Sequence, residues 1–333
     1  MSNLRILILS DGRAGHFHLS EGIAAALNRD QDVDIKKLHV GYKNYPGLVV
    51  AMMTRSLLSP KRILKTVYGL ETNFLANVDL VISAGSQTLG ANICISRVLN
   101  VKNIFYGSLR QYSPRDFTLV LTSYQRQTKR APNIIQTLKP SALDPDMLSD
   151  TTGCNTLGMI IGGPSRGINF SHNDWNILSS MITEANMVLG IRWIISNSPR
   201  TSTKCSEILR DLARQANGPI SEFIDVENPK SKALPYLFEK VSGVICTADS
   251  SSMISEAVWA RKPVIVIEPS AYELTKNEQD YREWLMESGW TVTLKTTELK
   301  STNLPCLLDN LTPITYNPLD NLASLLKEKM SPV

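Results

Sequence analysis

VICTADSSSMISEAVWARKPVIVIEP, residues 244–269, reads as one strand–helix–strand unit. An apolar run ends at Asp249 and three serines, MISEAVWA carries helical spacing, and Lys262-Pro263 stops it before a second apolar run, VIVIE. Short continuous apolar runs rich in Val and Ile are strands buried on both faces. Joining two of them through a helix calls for a parallel sheet. The polar groups gather where the strand passes into the helix. Asp249, Ser250, Ser251 and Ser252 can cap that helix, and their hydroxyls with the first-turn amides form an anion site. Glu256 follows Ser252 by one turn and can face the same side, where a carboxylate can accept from both vicinal hydroxyls of a ribose. A capped helix with an exposed glutamate is the plainer alternative. Against it, the next strand ends in Glu268-Pro269, so several polar groups converge on one edge.

The same alternation extends in both directions. Upstream lie LGMIIGG (157–163), a helix over 172–188, GIRWIISNS (190–198), a helix over 202–216, SEFIDV (221–226) and a helix over 232–240. In the first half, strands are expected at 4–9, 34–40, 79–85, 102–107 and 117–122, with helices at 19–28, 46–70 and 87–99. The turn-rich interval 138–156 separates the halves. The expected organisation is α/β: two Rossmann-like domains facing across a cleft, their parallel sheets covered by helices. Residues 1–145 form the first domain, 146–316 the second, and 317–333 a closing amphipathic helix packing back toward the first. A chain of 333 residues suits two domains.

Composition narrows the function. No apolar run approaches the roughly 18–20 residues that span a bilayer, and no signal-peptide apolar region opens the chain, so the expectation is a cytoplasmic protein. The 5 cysteines are scattered without a C-x-x-C pair, which argues against a disulfide framework and a zinc site. DPD at 144–146 lies in the turn-rich interval without a histidine or glutamate cluster, so no metal site is expected there. A net charge of +4 with no recurrent aromatic–basic motif gives no sign of nucleic-acid binding. The basic charge is uneven. RSLLSPKRILK (55–65) sets four cations among apolar residues, and residues 41–70 are therefore a candidate peripheral contact with an anionic membrane surface, or simply a solvated helical face.

Ligands of open α/β sheets collect beyond the carboxyl ends of strands, and four further loops lie there. SDGRAGHFHLSEG (10–22) packs Asp11, Arg13, His16 and His18 with glycines after the first strand. IIGGPSRG (160–167) offers Gly162, Gly163, Ser165 and Arg166, whose amides and cation suit a diphosphate, although neither G-x-G-x-x-G nor a P-loop is present. ISNSPRTS (195–202) adds Asn197, Ser198 and Arg200, and ISAGSQTLGAN (82–92) adds Gly85, Ser86, Gln87 and Thr88.

DGRAGH, IGGPSRG, SNSPRTS and ADSSSMISEAVWARKPV, in that order along almost the whole chain, resemble the motifs of the mitochondrial-fission Elm-type proteins, which occur in bacteria as well as plants. That family is similar in turn to GT-B glycosyltransferases, especially the enzyme that adds N-acetylglucosamine to lipid I. The resemblance implies a metal-independent inverting glycosyltransferase with a nucleotide-sugar donor, uridine-linked, and no separate cofactor. Its acceptor would be a lipid-linked or cell-envelope glycan at the inner membrane face. By position, His16 falls at the base, with Asp11 orienting Arg13 or His16. Gly162, Gly163 and Ser165 fall at the diphosphate, with Arg166 or Arg200 and Ser198 beside it. Ser250, Ser251 and Ser252 fall near the phosphates, Glu256 at the ribose and Gln279 at the sugar. In DGRAGH, Asp11 and Arg13 replace part of the glycine run of the lipid I enzyme. Histidine titrates near neutral pH, which suits a base that takes a proton from an acceptor hydroxyl; His16 packing or capping its turn is the alternative. A GT-B-type nucleotide-sugar epimerase, with Glu268, Glu273 or Asp280 as acid or base, and a non-catalytic membrane-recruited scaffold are the other readings.

Overall fold

A computed structural model describes residues 3–42, 45–72, 76–151, 153–165 and 167–330. The chain divides into two compact units. Unit 1 comprises Met1–Ala142 with Pro318–Val333, and unit 2 comprises Leu143–Asn317. The expected boundary fell at 145/146, three residues further on.

Unit 1 runs β1 (Leu4–Ser10), α1 (Ala14–Leu27), β2 (Val33–His39), α2 (Gly47–Arg55), α3 (Pro60–Ile63), β3 (Leu80–Ala84), α4 (Leu89–Leu99), β4 (Lys102–Tyr106), β5 (Leu119–Thr122), α5 (Gln125–Thr128) and β6 (Ile134–Gln136). The sheet is parallel in the order β2-β1-β3-β4-β5-β6. Unit 2 runs β7 (Thr156–Ile160), α6 (His172–Leu189), β8 (Arg192–Ser196), α7 (Thr203–Arg214), β9 (Ile220–Ile224), α8 (Leu234–Lys240), β10 (Gly243–Thr247), α9 (Ser251–Trp259), β11 (Val264–Glu268), α10 (Lys276–Glu287), β12 (Thr291–Lys295) and α11 (Leu304–Asp309). Its parallel order is β12-β11-β10-β7-β8-β9. Helix α12 (Pro318–Met330) returns to unit 1 and packs on α1, with Arg29 Nε 2.9 Å from Asp320 Oδ1.

The central strands are apolar because both faces are covered: every residue of β3, β10 and β11 is buried. Two strands went unread in the sequence, β6 and β12. Both are edge strands and only partly buried, so neither carries a continuous apolar run. The helix expected over 46–70 is broken. Ser56 is extended (ψ 174°), Pro60 restarts the chain at a helix N-terminus, and a π-helical turn over Leu64–Tyr68 ends at Gly69 in the left-handed region (φ 67°). Val50, Ile63, Leu64 and Val67 of this segment pack with Leu7, Leu9 and Val81 of the sheet in one core cluster. Helix α1 begins five residues before the expected start at 19. Arg13 is extended at its N-cap and offers no side-chain cap, and low-propensity Gly15 sits in its first turn. His16 is therefore a helical residue. Among the described residues no helix is long and apolar enough to cross a membrane.

Both strand orders reverse at one point, between β1 and β3 in unit 1 and between β7 and β10 in unit 2. Loops leaving the two strands there diverge to opposite faces and open a crevice at the carboxyl edge, the usual ligand position in such sheets. Four of the five loops singled out in the sequence flank these two points; the fifth, ISNSPRTS, follows β8.

Candidate functional site

In unit 1, β1 ends at Ser10, whose Oγ accepts from the Gly12 amide at 3.2 Å, and Gly12 takes φ +84° so that the chain can turn into α1. The turn drives Asp11 inward: its side chain is 2% exposed, and its Oδ2 lies 2.8 Å from His16 Nδ1. Its Oδ1 accepts the Arg13 amide at 3.2 Å. Of the two expected roles for Asp11, it thus orients His16 through the ring and Arg13 through its backbone. The imidazole is 30% exposed. A carboxylate at Nδ1 favours the tautomer protonated there, which leaves the acceptor lone pair on Nε2.

Across the crevice, Gly85 follows β3 at φ +93°. A Cβ there would lie 2.3 Å from His16 Nδ1 and 2.8 Å from Asp11 Oδ2. The close approach of this loop to the pair is thus possible only for glycine. ISAGSQTLGAN had suggested ligand contact, but its neighbours Ser86 and Thr88 serve the fold. The Ser86 carbonyl accepts from Tyr42 Oη, and Thr88 Oγ1 returns to the Gly85 carbonyl. His18 faces solvent, 2.9 Å from Glu21 Oε2.

In unit 2 the glycine loop is engaged differently from expectation. Gly162 and Gly163 are both buried. The Gly162 amide donates to Thr247 Oγ1 and the Gly163 amide to Asp249 Oδ2, each at 2.8 Å. A Cβ on Gly162 would come within 1.7 Å of that carboxylate, and one on Gly163 within 1.9 Å of the Arg200 carbonyl. The glycines admit Asp249 and the loop after β8, so their amides are not turned to a diphosphate. Arg200 completes the knot: Nη2 reaches Asp249 Oδ2 at 3.2 Å, and Nη1 reaches the Gly163 and Pro164 carbonyls at 3.2 and 3.3 Å. Ser198 closes a turn through Thr201 Oγ1, and Thr201 in turn donates to the β7 end. Asn197 is held by Ser206 and Asp225. Ser165 pairs by backbone with Ile168 across Gly167, at φ +81°, whose carbonyl accepts the Glu273 amide at 2.7 Å. Arg166 lies outside the described residues.

Asp249 does not cap α9. The N-cap is Ser250, extended and without a side-chain bond to the helix, so its own hydroxyl does not occupy the first-turn N–H groups. Ser252 is exposed and Glu256, one turn on, is half-buried. Burial first, then the charges of Asp249 and Glu256, pushes the Cys246 thiol up, which places both carboxylates near the end of β10. Ser251 Oγ bonds Glu278 Oε2 on α10. Gln279, one residue on, instead points along its own helix to Glu283 at 2.8 Å and is exposed, so Glu278 is the α10 residue that meets α9.

The end of β11 is equally self-contained. Glu268 and Arg282 form a buried pair at 3.3 Å, and Arg282 also donates to the Ala248 carbonyl. The Glu268 hydrogen bond, with burial, pushes the Tyr272 hydroxyl up to about 12. Asp280 pairs with Lys276 at 3.4 Å. Asp174, in the capping box of α6, gathers Ser171, Ser270 and Thr296. Burial raises its carboxyl, but those hydrogen bonds outweigh it and hold the pKa at about 2. Asp144 and Asp146 receive both bonds of the Asn317 amide, at 2.9 and 2.8 Å, and brace the chain before α12. Among the described residues no group of three or more His, Cys, Asp or Glu could hold a metal ion.

Thr201 and Thr247 had no signal in the sequence beyond being polar at or after a strand end, and Glu278 and Arg282, within α10, had none beyond being polar residues of a helix. Gly85 had one: a glycine directly after a buried strand at the switch point.

The sequence profile of the mitochondrial fission ELM1 family matches residues 14–326. No curated protein matches the chain. Among solved structures, Staphylococcus aureus MnaA with UDP is 12% identical at TM-score 0.58, covering 98% of this chain and 96% of its own. Neisseria meningitidis UDP-GlcNAc 2-epimerase bound to UDP-GlcNAc is 14% identical at TM-score 0.55, with 99% of each chain covered. Acinetobacter baumannii MurG is 11% identical at TM-score 0.51, covering 98% of this chain and 99% of its own. The shared fold class is α/β with two Rossmann-like domains, that of the GT-B proteins.

Proposed function

The chain belongs to the mitochondrial fission ELM1 family, and from that premise we propose that it is an inverting GT-B glycosyltransferase using a nucleotide-sugar donor, uridine-linked, and a lipid-linked or envelope glycan acceptor. The observation that carries the reading is the buried Asp11 carboxylate 2.8 Å from His16 Nδ1 at the switch point of its sheet. A carboxylate–imidazole pair with the second nitrogen left as acceptor is the arrangement of a general base. In the reaction, His16 Nε2 takes the proton of an acceptor hydroxyl as that oxygen bonds to the anomeric carbon. The bond from that carbon to the diphosphate oxygen breaks, and the nucleoside diphosphate leaves with the electron pair, so configuration inverts.

The donor belongs to unit 2. The first turn of α9, which the Ser250 hydroxyl leaves uncapped, and the Ser252 hydroxyl supply donors for the departing diphosphate, and Glu256 supplies the acceptor for ribose hydroxyls. Ser165 stands on the loop after β7, and we assign Arg166, next to it in the sequence, to the same diphosphate. Gly162, Gly163, Ser198 and Arg200 act as its framework, and Gln279 has no part in it. Residues 41–70 are where a membrane-borne acceptor brings the protein to a lipid surface.

An epimerase needs further acid and base groups, and two of the three carboxylates available to it, Glu268 and Asp280, are bound in ion pairs. The test is thermal unfolding against UDP, GDP, ADP, CMP and their sugar conjugates, with and without Mg²⁺. A ligand of the folded state must raise the midpoint. The expected result is a rise with one nucleotide, independent of Mg²⁺, lost in Glu256→Ala and kept in His16→Ala. Turnover should require an added acceptor and vanish in His16→Ala. Conversion of the nucleotide sugar alone would point to the epimerase, and no nucleotide binding at millimolar concentration to the scaffold.

A further inference from the structure

A second charged concavity lies in unit 1, at the opposite edge of the sheet from His16. Arg97 is in the last turn of α4, just before β4; Asp116 precedes β5 and Arg130 precedes β6. All three therefore sit at the amino ends of strands. With Arg55, Ser56 and Ser113 they line a cavity of about 670 Å³. Arg97 is tethered, Nη1 to the Thr54 carbonyl and Nη2 to Asp116 Oδ1, each at 2.7 Å, which neutralises the one carboxylate present. Arg130 donates to the Tyr112 carbonyl at 3.2 Å, and among the described residues neither Arg130 nor Arg55 is in an ion pair with a carboxylate. The cavity thus carries two guanidiniums in excess.

Its rim is apolar. Directly after Arg55 and Ser56 the chain exposes Leu57 fully (107%) and Leu58, and the outer face of α2 exposes Leu48, Val49 and Met52. Residues 41–70 hold five Lys or Arg and not one Asp or Glu. Apolar side chains at a tip, ringed by cations and backed by an arginine-lined cavity, match an anionic bilayer surface in both layers. Acyl chains accept the leucines, and phosphates accept the guanidiniums.

We propose that this cavity binds the phosphate of an anionic phospholipid while Leu57 and Leu58 enter the apolar layer. The site rests on and deepens the membrane contact named above; it lies at the other edge of the sheet from His16 and takes no part in the proton transfer itself.

The full chain is sedimented with phosphatidylcholine vesicles, with and without phosphatidylglycerol. Arg55→Gln/Arg130→Gln, Leu57→Ser/Leu58→Ser and Lys61→Gln/Arg62→Gln variants run in parallel, each first checked for an unchanged thermal midpoint. These side chains are all exposed, so folding should be retained. The expected result is binding that requires phosphatidylglycerol. It should fall on the order of 30-fold in Arg55→Gln/Arg130→Gln, from about 1 kcal/mol per cation near the surface, and several-fold less in Lys61→Gln/Arg62→Gln. The leucine pair should also lose binding, including at raised salt. If the unaltered chain ignores anionic vesicles, the membrane contact itself is wrong, and the site falls with it. If the chain binds but the two cation variants lose equally, the contact is diffuse charge, and the cavity assignment alone is overturned. A midpoint rise with soluble glycerol phosphate, in a chain that vesicles do not bind, would also overturn the lipid assignment.

Discussion

Gly85→Ala tests the chemistry of unit 1 without replacing a candidate catalytic residue. At φ +93° an alanine is strained by about 1–3 kcal/mol, worth roughly 2–4 °C of midpoint per kcal/mol in a unit of this size. The added Cβ would lie 2.3 Å from His16 Nδ1. Ordinary contact needs about 3.5 Å, so the ring must retreat by roughly 1 Å, a displacement that can reduce a positioned reaction about 100-fold. Donor binding, assigned under the proposed function to the other unit, should be unchanged. The assay pairs transfer to acceptor with nucleotide binding and thermal unfolding of the same preparation. A folded variant that binds nucleotide normally and transfers about 100-fold more slowly is the expected outcome. A variant that loses midpoint as calculated yet transfers at the unaltered rate would refute the idea that the Asp11–His16 geometry carries the proton.

Two further predictions concern unit 2. The Asp174 carboxyl, held at about 2 against an ordinary 3.8, is lowered in the folded state. It therefore contributes stability above pH 3.8, about 2–3 kcal/mol, lost as pH falls through 2; denaturant unfolding of Asp174→Asn should show that deficit at pH 7 and lose it near pH 2. Gly162→Ala sets a Cβ 1.7 Å from Asp249 Oδ2 and should destabilise unit 2 by 2 kcal/mol or more, by about the range of overpacked or strained sites. In an Asp249→Ala background the same change should cost clearly less, and additive values in that double-mutant cycle would show that Gly162 is not there to admit the carboxylate.

The fold was legible because its central strands are buried on both faces and therefore apolar without interruption. The eight inner strands announce themselves that way, while all four edge strands, β2, β6, β9 and β12, carry polar residues; β2 and β9 were still read in the sequence, and the short β6 and the partly buried β12 were not. Helix α1 hid its first turn because Arg13, Ala14 and Gly15 carry no cap signal, which left His16 looking like a loop residue. The break in 46–70 was marked by Ser59-Pro60, but a π-helical turn over Leu64–Tyr68 has no residue signature of its own. Gln279 against Glu278 is a lesson in register: adjacent helical positions differ by about 100° in direction, so a one-residue error in alignment sends the side chain to solvent.

The glycines carry the more general point. At both switch points, glycine density in the sequence signals that something approaches the backbone closely, and in both cases what approaches is the protein's own carboxylate or its partner. Gly85 makes room for the Asp11–His16 pair, while Gly162 makes room for Asp249. The two carboxylates then diverge in consequence. Asp11 presents its carboxylate to an imidazole that is 30% exposed. Asp249 presents its carboxylate to the Gly163 amide and to Arg200, groups that hold loops together. The same sequence device therefore sets a carboxylate–imidazole pair at one switch point and a rigid floor at the other.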